Sequence, residues 1–174
     1  MSFVGHIECS ICRRLHDPSR LLTVCEACRQ MLIVRYDLDR VAREVTKDAL
    51  LRRPPGMYRF RELLPLADGD EPVTLGEGGT PLLLLRRLGA QLGINHLSIK
   101  DEGQNPTGTF KARGLGMAIT KSRALGAKGF MIPSAGNAGG AAAVYAARAG
   151  LPVAVVVPRD TPEAAIAEAI LAGA

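Results

Sequence analysis

The chain has 174 residues, 47 % of them hydrophobic and 22 % charged, a globular composition long enough to bury a core. Its net charge of +5 is spread over scattered arginines, Trp is absent and aromatics make up 4 %, which argues against a nucleic-acid partner needing stacking rings and a basic track. No apolar run approaches the roughly 18 residues of a membrane span, and "MSFVGHIECSICRR" lacks the charged start and apolar run of a secretory signal, so no membrane partner and a reducing, cytoplasmic location are expected.

The first element in chain order is a pair of cysteine motifs, Cys9-Ser-Ile-Cys12 and Cys25-Glu-Ala-Cys28, separated by twelve residues. Each two-residue gap lets a tight turn aim both thiolates at one ion, and the two turns together supply a closed tetrahedral set. Cys9, Cys12, Cys25 and Cys28 therefore read as ligands of a structural zinc, with iron or two disulfides as the alternatives. A module of about 40 residues buries too little to fold alone, and metal binding supplies the missing free energy. His6 and His16 read as surface residues rather than ligands. The β-branched run Met31 to Asp39 is expected to close this zinc ribbon as a strand, which sets a first unit at residues 1–38.

Residues 39–73 read as a helical connector: a polar helix from Asp39 to Arg53, stopped by Pro54-Pro55-Gly56, and then an irregular stretch. From Thr74 the pattern becomes turn, strand, turn, helix, repeated. "LGEGGTP" is a glycine-rich loop. Leu82 to Leu85 and His96 to Lys100 are short strands, the first of them buried, and Phe110 to Leu125 is a helix with Thr109 as its N-cap. Gly129 to Ser134 is a strand, Asn137 to Ala149 a helix stopped by Gly150, and Pro152 to Pro158 a fully buried strand. A last helix follows, with Thr161 as cap and Pro162 at its first position. Strands and helices alternating at this spacing predict an α/β unit over 74–174 with a largely parallel sheet, which binds ligands beyond the carboxyl ends of its strands.

Two loops fall at such ends, "DEGQNPTGTFK" and "SAGNAGG", and both open helices whose first N–H groups suit an anion. Gly139 and Gly140 sit just inside a helix, where each costs about 1 kcal/mol relative to Ala, so either a neighbouring strand or a flat ligand must approach that backbone. Lys111 and Arg113 occupy a first helical turn that ordinarily attracts acids. The positive helix end and partial burial beside Phe110 disfavour the ammonium form of Lys111, and an uncharged lysine forms a Schiff base readily. The alternative is a solvent-exposed lysine that tolerates its position.

"TLGEGGTPLL", "KDEGQNPTGTFKARG" and "SAGNAGGAAAVYAARAGLPVAVVVP" together resemble the threonine synthases, among the fold-type II pyridoxal-phosphate enzymes that also include threonine dehydratases and cysteine synthases. The resemblance spans about Tyr58 to Ala174, and the paired-cysteine ribbon looks like the N-terminal extension of many prokaryotic members. It implies that Lys111 is the Schiff-base lysine of pyridoxal 5'-phosphate, that Asn137 binds the cofactor's 3'-hydroxyl, and that Ser134, Ala135, Gly136 and Ala138 meet the carboxylate of an amino-acid substrate. The implied reaction converts O-phospho-L-homoserine and water to L-threonine and phosphate. A β-eliminating ammonia-lyase or a sulfhydrylase is the enzymatic alternative, and a non-catalytic zinc-ribbon binding module the other. Family members commonly carry Asp where this chain has Ala112, and hydroxyl residues at Ala135 and Ala138. They also run to more than twice this length, which implies an N-terminal half, weak in cofactor binding and turnover when isolated, of an enzyme that is a homodimer when complete.

Overall fold

A computed structural model describes residues 2–174. The N-terminal part is a three-stranded antiparallel sheet in the order β2-β1-β3, formed by β1 (Val4–Cys9), β2 (Leu15–His16) and β3 (Leu32–Tyr36). Register pairs Ile7 with both His16 and Val34, so the middle strand carries a cysteine turn at its end. His16 is buried rather than superficial, contrary to the sequence expectation: it pairs with Ile7 of the middle strand, and its Nδ1 lies 3.8 Å from a Glu26 oxygen.

The expected single polar helix is two short ones, α1 (Leu38–Glu44) and α2 (Lys47–Leu51). Thr46 divides them by accepting a hydrogen bond from the Ala49 N–H, as an N-cap does, and Asp37 caps α1 through the Arg40 N–H. A 3-10 segment, Met57–Leu63, follows. Arg53 forks onto Glu62 at 2.7 Å through both guanidinium nitrogens and also donates to the Arg59 carbonyl, locking this connector.

The remaining part is α/β, but its strands do not form one parallel sheet. β4 (Leu82–Leu84) and β5 (Ser98–Lys100) pair antiparallel around α3 (Arg86–Leu92), whereas β6 (Phe130–Pro133) and β7 (Val153–Val156) form a separate parallel pair. The leucines of β4 are exposed, not buried: among the described residues the extensive packing of this ladder is of β4 on β5. Along β6 and β7 burial alternates residue by residue, so β7 is covered on one face and not, as its apolar run suggested, on both. The covering layer is α5 (Asn137–Ala149), which packs on both strands and against α4 (Lys111–Ala124) and α6 (Glu163–Leu171).

The core lies where α4 meets α5: Val73, Ala112, Ile119, Tyr145 and Ala146 are buried together, with Phe130, Val153 and Ala149 packed on them. Burying the Val73 and Ile119 side chains contributes about 1.5–3 kcal/mol each. Thr120, inside this core, is satisfied by donating to the Gly116 carbonyl at 2.7 Å and accepting from the Val73 N–H at 2.9 Å. Gly150 ends α5 in the left-handed region at φ 69°, where its N–H reaches the Ala146 and Ala147 carbonyls. Thr161 does not cap α6. Pro162 directly precedes that helix, and the Thr161 hydroxyl is buried without a partner among the described residues.

Candidate functional site

The four cysteines converge. Their sulfurs lie within 4.8 Å of one another, with Cys9–Cys28 at 3.3 Å, Cys12–Cys28 at 3.5 Å and Cys12–Cys25 at 3.7 Å. These separations are far too long for disulfides and close to the edge of about 3.8 Å of a tetrahedron with metal–sulfur bonds of about 2.3 Å. The two motifs fold alike. Arg13 and Arg29, each just after the second cysteine of its pair, adopt φ 61°, and their N–H groups return to the Cys9 and Cys25 carbonyls at 3.2 and 2.9 Å. A left-handed arginine costs about 1 kcal/mol, and paying it twice keeps both turns tight.

Burial raises the Cys9 thiol, but the N–H groups of Cys12 and Ile11 directed at its sulfur, helped by Cys28 and Cys12, bring it down to about 6. Cys28 receives the Gln30 N–H, which lowers it, yet the neighbouring sulfurs and burial push it up to about 12. Such a cluster shares protons among crowded sulfurs, a strain that a cation at its centre relieves, so the donor set fits a metal ion. Neither His6 nor His16 belongs to it.

The second cluster engages one of the two cations at the start of α4. Arg113 forks onto Glu102, with Nε at 2.6 Å from one oxygen and a terminal nitrogen at 2.7 Å from the other. The same carboxylate accepts from the Thr80 hydroxyl at 2.7 Å and the Asn105 amide at 3.0 Å, and with Arg113 as the leading cause its carboxyl is held down at about 2. Asn105 in turn accepts from the Gly78 N–H at 3.0 Å. Arg113 is thus committed to pinning the glycine-rich loop 76–80 onto the 101–109 loop.

Lys111 is not. It is half-buried at the first residue of α4, its Nζ 4.6 Å from the ring centroid of Phe110, which is itself 57 % exposed, and that amine has no hydrogen bond or ion pair among the described residues. Contrary to the sequence expectation, the residue at the N-cap position is Phe110, which brings no side-chain cap; the Thr109 hydroxyl accepts from the Lys111 N–H at 3.2 Å one residue earlier. Ala112 is instead fully buried in the core with Tyr145, so a carboxylate at this position would be desolvated.

At the other loop, the Ser134 hydroxyl accepts from the Gly139 N–H at 3.0 Å and donates to the Gly136 carbonyl at 3.2 Å, so it closes the turn itself. Asn137 and Ala135 are exposed and Gly136 and Ala138 half-buried. The Asn137 amide has no partner among the described residues. Gly139 answers to a strand: a Cβ there would lie 2.8 Å from the Val155 side chain and 3.2 Å from the Ser134 carbonyl. At Gly140 the close neighbour is the Glu168 carboxylate of α6, so neither glycine is explained by a flat ligand.

Sequence reasoning passed over Glu77, Asn105 and Tyr145. Glu77 is 1 % exposed, and one of its oxygens accepts from the Tyr145 hydroxyl at 2.7 Å, the Leu75 N–H at 3.0 Å and the Thr74 hydroxyl at 3.1 Å. Burial first, and then this carboxylate, push the Tyr145 phenol up, so it remains a donor. The other Glu77 oxygen is buried without a partner among the described residues, a cost of about 1–3 kcal/mol. A glutamate between two glycines in a loop was the available signal.

A free amine on the first turn of one helix, and an exposed amide on the first turn of the helix packed against it, fit a ligand with an aldehyde and acceptor oxygens. A family model described as pyridoxal-phosphate dependent enzyme matches residues 73–174. The chain is 37 % identical over 153 residues to the threonine synthase of Methanosarcina acetivorans, covering 88 % of this chain and 37 % of that enzyme. It is 45 % identical over 122 residues to the threonine synthase of Mycobacterium leprae, covering 69 % of this chain and 34 % of that enzyme. A solved pyridoxal 5'-phosphate-dependent aspartate racemase superposes with a TM-score of 0.50 at 30 % identity over 55 % of this chain and 30 % of the other. The chain therefore spans little more than a third of the length of the curated relatives it matches.

Proposed function

Since this chain belongs to the pyridoxal-phosphate dependent enzymes, we propose that it forms the N-terminal part of a threonine synthase-like lyase, converting O-phospho-L-homoserine and water to L-threonine and phosphate. The observation that carries the reading is the division of labour on the first turn of α4: Arg113 is spent on Glu102, while the Lys111 amine, resting over the Phe110 ring, has no hydrogen bond or ion pair among the described residues. When bound, the cofactor supplies an electron sink for a substrate carbanion. Lys111 supplies the amine that holds the cofactor's aldehyde and, once released from it, carries protons to and from the substrate. Asn137 offers its amide to the cofactor's ring hydroxyl. With the Ser134 hydroxyl engaged in its own turn, loop 134–138 offers the substrate carboxylate backbone N–H groups in place of side-chain donors.

The same reading assigns zinc to the four-cysteine site, since a closed thiolate shell suits that ion and leaves no position for substrate. It also takes the complete enzyme as a cytoplasmic homodimer. Exposed apolar side chains on β6 and α6, Met131 at 75 % and Leu171 at 88 % exposure, support protein cover over these elements. Alone, residues 1–174 should hold the cofactor weakly and turn over little.

Ala135 and Ala138 bring no hydroxyl to the substrate loop, which favours, as a second reading, β-elimination from a substrate without phosphate. The test uses the complete protein with pyridoxal 5'-phosphate. Borohydride should fix the cofactor to the chain, and Lys111→Ala should abolish fixation while the fold remains. Phosphate release from O-phospho-L-homoserine then supports the first reading, and ammonia or sulfide chemistry without phosphate release supports the second. No fixation in the unsubstituted protein refutes both.

A further inference from the structure

Lys111 and Asn137 stand on different helices, and their relative placement depends on what joins α4 to α5. Direct packing supplies part of the join: a Cβ at Gly116 would lie 2.8 Å from the Tyr145 ring, so only glycine lets that ring seat against α4. The other part is polar and runs through a loop. From α5, the Tyr145 hydroxyl donates to Glu77. The next residue, Gly78, donates its N–H to Asn105, Asn105 donates to Glu102, and Glu102 holds Arg113 on the first turn of α4. Gly78 itself is at φ +89°, and a Cβ there would lie 2.5 Å from the Met57 N and 2.9 Å from Arg113, so this loop has no slack.

We propose that Glu77 is a positioning residue: through Tyr145 and the Gly78–Asn105–Glu102–Arg113 chain it fixes the helix bearing Asn137 relative to the helix bearing Lys111, and so sets how the cofactor ring lies against the amine that holds it. This rests on the cofactor reading of those two residues. A buried acceptor with one oxygen triply engaged and the other unpartnered is a poor choice for packing alone, where an apolar residue would serve. Its use is geometric, because a hydrogen bond to a fixed phenol sets a direction that an apolar contact does not.

The experiment compares Glu77→Gln, Tyr145→Phe and the double variant in the complete protein. It measures the dissociation constant for pyridoxal 5'-phosphate and the circular dichroism induced in the bound cofactor, normalised per cofactor bound. Tyr145→Phe should weaken binding about tenfold, as expected for the loss of one buried hydrogen bond, and Glu77→Gln, which keeps an acceptor oxygen but puts an amide donor in place of the other, should weaken it by up to as much; both should reduce the induced signal. The double variant should be no worse than the more affected single variant, since both act through one contact. Ile119→Val, which trims the core of the same helix pair, should lower the melting temperature without moving the induced signal. Unchanged binding and signal in Tyr145→Phe, additive effects in the double variant, or an equal response in Ile119→Val would each overturn the proposal. If Glu77→Gln does not fold, Tyr145→Phe, which deletes a single hydroxyl, decides. A band and borohydride fixation in the unsubstituted protein with unaffected variants sinks only the positioning role; their absence sinks the cofactor reading with it.

Discussion

Replacing Glu102 with glutamine removes the anion that anchors the first turn of α4. The carboxyl is held at about 2 against an ordinary 4.5, chiefly by hydrogen bonds from Arg113, with smaller contributions from Thr80 and Asn105. At about 1.4 kcal/mol per tenfold change in proton affinity, that gap corresponds to at most about 3.5 kcal/mol. The Glu102 and Arg113 side chains are 26 % and 31 % exposed, so water screens the pair and about 1–2 kcal/mol remains. The folded-state value is depressed, so this stability is fully present above about pH 4.5 and is lost as pH falls through about 2. Urea unfolding of the parent and of Glu102→Gln should therefore differ by about 1–2 kcal/mol near neutrality and converge as pH approaches about 2, with m unchanged. Glu62, held at about 2 mainly by Arg53, titrates over the same range in both proteins and cancels in the difference. A difference that stays constant down to about pH 2, or is absent at neutrality, would refute the claim that the ion pair carries this contribution.

The two adjacent helix glycines should behave oppositely. Gly139→Ala drives a Cβ into Val155 and the Ser134 carbonyl and should cost about 1–3 kcal/mol, while Gly140→Ala displaces only the flexible end of exposed Glu168 and should be neutral or stabilising by up to about 1 kcal/mol, both read by thermal melts. Gly116→Ala, pressing on the buried Tyr145 ring, should be destabilising by about 1–3 kcal/mol, and an unchanged melt would show that α4 and α5 shift freely. The four-cysteine site should hold one ion per chain and release protons on loading, because thiols such as Cys28, pushed up to about 12, must ionise to bind. Metal content and proton release measured together check this. Chelation should loosen residues 2–38 while α4 and α5 keep their helicity.

The linear sequence settled whatever depends on neighbours along the chain. The spacing of Cys9, Cys12, Cys25 and Cys28 announced a convergent sulfur site because a two-residue gap has few ways to turn. Asn137 to Ala149 ended where Gly150 said it would, since a left-handed residue stops a helix whatever lies around it. Lys111 was conspicuous because a cation on a first helical turn conflicts with the local field. What the tertiary structure alone decided were matters of who stands opposite whom. Arg113 was as out of place as Lys111 on a first helical turn until Glu102, eleven residues upstream, proved to hold it, and the glycines of α5 made room for Val155 and Glu168 rather than for a ligand. The parallel sheet read from β-α alternation became one parallel and one antiparallel pair, because strand type is encoded locally but pairing is not. Glu77 and Tyr145 lie 68 residues apart and meet only after folding, so no periodicity could have joined them. A hydrogen bond between distant residues leaves no mark on either neighbourhood in the chain, whereas a turn, a cap or a ligand pair is written into a few consecutive positions.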